Sequence, residues 1–530
     1  MANWWQERVV YQIYPRSYQD TNGDGIGDIQ GIIQHLDELK DLGVGILWLS
    51  PLYCSPNADN GYDISDYRDI NPEYGTMEDM KRLLAEAEKR DIKIVMDLVI
   101  NHTSDEHEWF RQSRDPDSPY RDYYIWRDKP NNWMSFFAED CWEYDERSGQ
   151  YYLHLFAKKQ PDLNYHNPKV IEEIKDIMRF WLDMGVAGFR CDVINIIYKS
   201  SLEDGKKPFV LRGSEHYISQ EGNHEILRTL RSEVLDHYDC FTVGETVFVT
   251  PQMGRDLTDK SRGELDMIFA FEHMETDQFL FKWFKRKFNA KPFGETIAKW
   301  QNALEWNANY LENHDQPRSV SRFGDDGEYW EKSAKMLCTM LLSLRGTPYI
   351  FQGQEIGMTN FDFTSLDEVE DVESHNVYRM AKRLGFPKGY RWKMILRSSR
   401  DNARTPVQWS DDVQGGFTTG TPWLGVNKNH KMINMASQMD DPNAIRSYYK
   451  RMIKTRAESD VLKFGTFKLL EATKHRFCYE RTLDGKTLTV VLSFSKKPQQ
   501  VTYRGEVCID NYDRATFDGT LQPYEAVILA

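Results

Sequence analysis

Residues 93–102 read Lys-Ile-Val-Met-Asp-Leu-Val-Ile-Asn-His. A short run rich in β-branched residues that ends in polar groups is the pattern of a buried strand. A helix-like stretch precedes it, opened by Thr76 and Asp79 at the spacing of a capping box. The unit recurs along the chain. Candidate strands run from Val9 to Pro15, Gly45 to Ser50, Lys93 to Asn101, Gly188 to Val193, Phe241 to Thr246, Met267 to Glu272, Asn307 to His314 and Pro348 to Glu355. The segments between them are amphipathic: Ile29, Ile32, Ile33, Leu36 and Leu39 share one face, as do Val170, Ile174, Ile177, Met178 and Trp181. Eight strands alternating with helices is the number that closes a parallel barrel.

Working outward, two connections are too long for ordinary strand-to-helix loops. Residues 104–167, with clustered aromatics and polar turns, are expected to form an inserted subdomain after the third strand. A second insertion, about 357–440, follows the eighth strand as a lid. From residue 459 the pattern changes to short alternating runs separated by turn residues, which predicts a C-terminal antiparallel β domain, a β-sandwich, over 459–530. The expected fold class is α/β: a (β/α)8 TIM barrel over 1–103 and 168–458 carrying these attachments.

Composition narrows the function classes. A net charge of -15 favours solubility and argues against nucleic acid or anionic membranes as partners. The seven cysteines are scattered and without C-x-x-C spacing, so neither a disulfide framework nor a zinc site is indicated. The opening Met-Ala-Asn-Trp-Trp-Gln-Glu-Arg has no basic stretch followed by an apolar run, and no later run has membrane length, so a cytoplasmic protein is expected. A monomer or weak homo-oligomer is expected.

Acidic residues and histidines gather at the ends of four candidate strands: Asp97, Asn101 and His102; Arg190 and Asp192; Glu245; and Glu312, His314 and Asp315. Singly, each has an ordinary reading as a helix cap, an ion pair or a satisfied core residue. Polar groups at the same end of four strands of one barrel converge on one pocket.

With these blocks the sequence resembles the α-amylase superfamily of glycoside hydrolases, and within it the oligo-1,6-glucosidase and α-glucosidase branch. The resemblance rests on DLVINH at 97–102, QPDLN at 160–164, GFRCDVIN at 188–195, GET at 244–246, ENHDQPR at 312–318 and GTPYIFQGQEIGM at 346–358. It implies a retaining, exo-acting α-glucosidase on small oligosaccharides, with Asp192 as nucleophile, Glu245 as acid/base and Asp315 as third carboxylate on the sugar hydroxyls. Arg190, on the same side of its strand, is expected to hold Asp192 ionised. Burial is expected to keep Glu245 protonated. His102 and His314 are expected to donate to the same ring, Tyr62 to stack on it and Phe156 to line the site.

The resemblance also implies an acid and an arginine that block the far end of the pocket, here Asp59 and Arg404. Without it, Asp59-Asn-Gly reads as a turn. Val193 directly after the nucleophile accompanies α-1,6 preference, and Lys282 and Glu373 fall where α-1,6-acting members bind the second glucose. The plainer readings are strand core for Val193 and surface charges for the other two. Between strand one and its helix lie Asp20, Asn22, Asp24 and Asp28 at alternate positions with intervening glycines. That is either a solvated acidic turn or a site for a hard cation. The resemblance implies structural calcium on these side chains and the Ile26 carbonyl, with magnesium as the alternative.

Rival readings within the branch are a sucrose isomerase, a trehalose-6-phosphate hydrolase and an α-1,4 maltase; outside it stands a non-enzymatic amylase-like scaffold. The carboxylates Asp192, Glu245 and Asp315 oppose the scaffold. Ser321 to Asp326 lacks the charged stretch of the isomerases, and Lys282 alone is not the basic cluster that a phosphate requires.

Overall fold

The computed structural model describes residues 2–137, 139–206 and 211–530. Eight strands form the central sheet: β1 (Val10–Ile13), β2 (Ile46–Leu49), β3 (Lys93–Leu98), β4 (Gly188–Cys191), β5 (Phe241–Thr246), β6 (Met267–Ala270), β7 (Ala308–Asn309) and β8 (Thr347–Phe351). All ladders are parallel, in the order β6-β5-β4-β3-β2-β1-β8-β7. The ring closes where β6 lies against β7: Tyr310, just past β7, donates its hydroxyl to the Ala270 carbonyl at 3.3 Å across that seam. All eight expected strands are present. The seventh is the shortest, because the chain leaves the sheet after Asn309 to present Glu312 to Asp315 at the rim.

Large side chains fill the interior, as a packed barrel core requires. Trp48, Phe269, Tyr310 and Tyr349 are buried with ring centroids 4.7–5.6 Å apart along the contacts through Phe269. At Gly188, which opens β4, a Cβ would lie 2.1 Å from the Phe241 carbonyl oxygen, so only glycine lets β4 and β5 approach this closely.

Outside the sheet, the first predicted helix is two: α1 (Ile29–Gln34) and α2 (Leu36–Leu42), divided at His35. Ile29, Ile32, Leu36 and Leu39 are buried, and Ile33 only partly. α3 (Met77–Lys89) starts with the predicted capping box of Thr76 and Asp79. α4 (Pro168–Asp183) buries its predicted face, Trp181 included.

Residues 104–167 hold a short helix, Glu108–Ser113, and a three-stranded antiparallel sheet of Trp126–Arg127, Gln150–Leu153 and Trp142–Asp145. Near the C-terminal end, α5 (Trp330–Ser343) packs on a five-stranded antiparallel sheet. Its strands are β9 (Thr466–Ala472), β10 (Arg476–Leu483), β11 (Lys486–Ser493), β12 (Val507–Asp510) and β13 (Ala526–Leu529), in the order β9-β10-β11-β13-β12. After β8 the lid contributes α6 (Val372–Arg383) and α7 (Lys388–Ser398). It packs Val377, Met394 and Ile395 against Trp283 of a hairpin, Gln278–Phe279 with Phe281–Lys285, that follows β6. All seven cysteines are free thiols, and among the described residues no helix is long and apolar enough to cross a membrane.

Candidate active site

Strand register decides which side chains meet. Asp97 on β3 lies opposite Arg190 on β4, and Cys191 lies opposite Gly244 of β5, so Glu245 comes beside Asp192. The Arg190 guanidinium gathers three carboxylates: Nη1 donates to Asp97 and Asp192 at 2.6 Å each, and Nη2 donates to Glu245. Cys191 points away into the core, where burial pushes its thiol up to about 12.

Burial decides the protonation states. It pushes Asp192 up to about 6, although Arg190 and a hydrogen bond from Glu245 pull the other way. Arg190 therefore holds Asp192 down less than the sequence reading expects, because desolvation and the Asp97 charge outweigh it. Burial also raises Glu245, to about 7, with Asp192 and Asp315 adding to the rise against Arg190. At neutral pH Asp192 is mostly ionised while Glu245 still carries a large protonated fraction, the split that an anionic nucleophile and a proton donor need. At Asp315 burial works upward, but His314, Arg400 and Arg404 outweigh it and hold the carboxyl well below its usual range.

These values set a pH profile. Activity is expected to fall below about 6 as Asp192 takes up its proton, and above about 7 as Glu245 loses its own. In Glu245→Gln, measured as kcat/KM on an aryl α-glucoside, the alkaline limb is expected to disappear. An unchanged alkaline limb in that variant would mean that Glu245 is not the acid.

Around the carboxylates the walls are aromatic and basic. His314 is buried; its Nδ1 lies 2.8 Å from Gln12 Nε2, and its Nε2 faces Asp315 Oδ2 at 3.2 Å. The Tyr62 ring is parallel to it at 5.1 Å, and the Tyr62 hydroxyl donates to Asp97 at 3.0 Å. Phe156 contacts His102 at 5.1 Å and stacks on Phe136 at 4.9 Å. His102 has both nitrogens engaged within the protein: Nε2 is 3.0 Å from the Tyr62 carbonyl and 3.1 Å from Gln160 Nε2, and Nδ1 is 3.2 Å from Asn101 Nδ2.

One expected pair is corrected. The arginine bonded to Asp59 is Arg400, not Arg404: Arg400 Nη2 donates to Asp59 Oδ1 at 2.9 Å and Nε donates to Asp371 at 2.8 Å. Arg404 donates instead to Asp315 Oδ1 at 2.7 Å and to the His314 carbonyl at 3.0 Å. Helical spacing across the short helix Asp401–Arg404 sets the two guanidiniums about one turn apart, and the docking of the lid decides which meets Asp59.

Val193 is not a strand residue. It has φ 37 and ψ 39, left-handed backbone that costs a β-branched residue roughly 1–3 kcal/mol, and its amide donates to Glu245 Oε2 at 3.4 Å. Lys282 and Glu373 are brought together: the lysine ammonium donates to Glu373, and Trp283 Nε1 donates to the same carboxylate at 3.1 Å. Sequence reasoning missed Lys199, a buried ammonium that donates to Asp162 at 2.6 Å and Asn101 at 2.8 Å and so ties the 104–167 insertion to the end of β3. The sequence carries no signal for it, because Asn101 and Asp162 lie 98 and 37 positions away and meet Lys199 only through the fold.

In the loop of residues 20–28, Asp20 Oδ1 accepts the amides of Asn22 and Gly23, Asn22 accepts that of Asp24, and Asp24 accepts that of Ile26, all at 2.8–2.9 Å. Asp28 Oδ2 is taken by the Thr21 amide and hydroxyl, and Asp20 Oδ2 by the Gly25 amide and the Thr418 hydroxyl. Among the described residues no three Asp, Glu, His or Cys side chains converge as a metal cage. The loop suits a hard cation only as a mixed set that includes Asn22 and the Ile26 carbonyl, with the two threonine hydroxyls displaced.

The profile of the family described as alpha amylase, catalytic domain, matches residues 12–465. The chain belongs to this family. Among its members, the oligo-1,6-glucosidase of Parageobacillus thermoglucosidasius is 52% identical, over 96% of this chain and 95% of that protein. The trehalose-6-phosphate hydrolase of Bacillus subtilis is 44% identical over 99% and 98%. Of solved family structures, a trehalulose synthase mutant with Tris superposes with TM-score 0.97 at 42% identity, covering 100% of both chains. The trehalose-6-phosphate hydrolase of Bacillus licheniformis gives 0.94 at 41%, covering 99% of both.

Proposed function

We propose that this glycoside hydrolase is a retaining, exo-acting α-glucosidase that releases glucose from the non-reducing end of isomalto-oligosaccharides. The observation that carries the mechanism is that Asp192 and Glu245 share one guanidinium, Arg190 donating to Asp192 from Nη1 and to Glu245 from Nη2, so both carboxyls lie within reach of a single planar group. Inversion needs carboxyl groups roughly 6.5–9.5 Å apart to admit a water, and retention needs about 5–5.5 Å. In this reading Asp192 attacks the anomeric carbon while Glu245 protonates the departing oxygen. Glu245 then takes a proton from water, whose oxygen displaces Asp192 from the sugar. Asp315 holds the ring hydroxyls, and its two arginines keep it anionic throughout. The buried Asp59–Arg400 pair supports exo action, since it sets a charged wall beside Asp315 that a continuing chain would have to desolvate.

Linkage preference rests on the 1,6-named relatives, on Val193 and on the Lys282–Glu373 pair at the rim. Higher kcat/KM on isomaltose than on maltose is expected in a screen that also includes sucrose and trehalose-6-phosphate. Val193→Ala is expected to narrow the ratio by about 10- to 200-fold at most, the worth of a methylene-scale change. A wild-type enzyme preferring maltose or trehalose-6-phosphate would overturn the assignment. Seven free thiols support a reducing, cytoplasmic location.

The reading includes a structural calcium held by Asp20, Asn22, Asp24, Asp28 and the Ile26 carbonyl, supported by the alternating oxygen side chains of the loop. Chelation is expected to lower Tm, and Asp24→Ala to erase that shift. Unchanged melting with chelator, together with no calcium by elemental analysis, would count against it.

A further inference from the structure

The chain's net charge of -15 conceals one strongly basic face. Residues 278–288 contain four Lys and Arg and residues 374–399 contain seven, with no Asp or Glu in either segment. The first segment is the hairpin after β6, and the second is most of α6 and α7, which pack against it. Among the described residues, Lys282 and Lys285 are the ones of the eleven in ion pairs, with Glu373 and Asp277.

Large apolar side chains stand out from the same face. Leu280, at the hairpin turn with φ 67, is 76% exposed between Phe279 at 51% and Phe281, while Leu384 is 68% exposed and Tyr390 42%. Aromatic rings connect the two segments: Phe281 contacts Phe284, whose ring lies 6.0 Å from Phe386 and 6.4 Å from Tyr390. An exposed apolar patch of this kind marks an interaction surface.

We propose that this face binds anionic phospholipid membranes, inserting Leu280 and Leu384 into the interface while the surrounding cations meet lipid phosphates. Charge complementarity selects an anionic partner. The two most exposed apolar side chains, Leu280 and Leu384, favour lipid over a polyanion, because an aliphatic tip gains from an acyl layer and nothing from a base or phosphate, while Phe279 and Tyr390 beside them suit a membrane interface equally. The lysines interspersed with the apolar groups, among them Lys287, Lys382, Lys388 and Lys393, favour lipid over protein, since lysine is depleted from protein interfaces. Here Lys382 and Arg383 directly precede Leu384, and the Arg286 guanidinium sits 4.5 Å over the Phe279 ring. Basic residues around exposed apolar ones is the pattern of an interfacial surface. The unfavourable chain-average charge is overcome locally, because screening confines the potential to roughly 8–10 Å.

The test is co-sedimentation of the full chain with vesicles of equimolar phosphatidylglycerol and phosphatidylcholine, against vesicles of phosphatidylcholine alone, at a lower salt of about 0.1 M, where screening already confines the chain-average repulsion, and a higher salt of about 1 M. At low salt a partition coefficient at least about tenfold higher on the anionic vesicles is expected, and lost at high salt. Leu280→Ser with Leu384→Ser, and separately Lys382→Glu with Lys388→Glu, are each expected to reduce it about tenfold while hydrolysis of an aryl α-glucoside stays unchanged. No lipid preference, or full binding by the charge-reversed variant, would overturn the proposal. So would retention on heparin or DNA, or self-association, that explains binding unaffected by the two serine substitutions.

Discussion

Asp192→Asn is expected to lower kcat/KM on every α-glucoside by on the order of 10⁴-fold or more, the scale of loss when one member of a catalytic unit loses its function. The amide is isosteric and keeps a hydrogen-bonding oxygen for Arg190, so the pocket should persist while the anionic attack on the anomeric carbon is lost. Glu245→Gln should behave differently. It removes the proton donor, so loss of roughly 10²- to 10⁴-fold is expected on isomaltose and much less on aryl glucosides whose leaving groups need no proton. Intact-mass detection of a trapped glycosyl-enzyme in Glu245→Gln, and none in Asp192→Asn, would separate the roles. Near-normal turnover by Asp192→Asn, or β-glucose as first product, would refute the assignment.

The second large effect is expected at Arg400. This buried guanidinium serves Asp59, Asp371 and Asp315, so Arg400→Met leaves the buried Asp59 and Asp371 carboxylates without their cation. Truncating one partner of a buried charged pair costs about 2–5 kcal/mol, or roughly 30- to 4,000-fold in kcat/KM on isomaltose. Arg404→Met should fall mainly on kcat, because Arg404 orients Asp315, whereas Arg400→Met should raise KM and weaken the preference for a chain end. Wild-type KM in Arg400→Met, with an unchanged thermal transition, would show that Asp59 and Arg400 do not bound the pocket.

The barrel was legible because each strand is a short apolar run with its polar groups at one end, and that pattern survives without knowledge of tertiary contacts. The convergence of Asp97, Arg190, Asp192 and Glu245 was legible for the same reason, since parallel register brings strand ends together. What lay beyond it depends on docking between distant segments. Arg400 and Arg404 stand only four residues apart in the chain, and the lid's placement assigns their partners. The orientation of His102 follows from Gln160 and the Tyr62 carbonyl, neither adjacent in sequence. Val193's positive φ falls where the chain turns from β4 into the short helix Ile194–Ile196, and it has no composition signal. The basic face escaped notice because the net charge is an average over 530 residues.

The Asp59–Arg400 pair also bears on how the protein is made. Its members are 341 residues apart, so at about 5–20 residues per second the ribosome delivers Arg400 roughly 20–70 s after Asp59. Through that interval the nascent chain carries the acidic half of the pocket without the cation that neutralises it. Catalytic competence therefore comes late in synthesis, and chains released before the lid is complete lack the wall that selects a substrate's end.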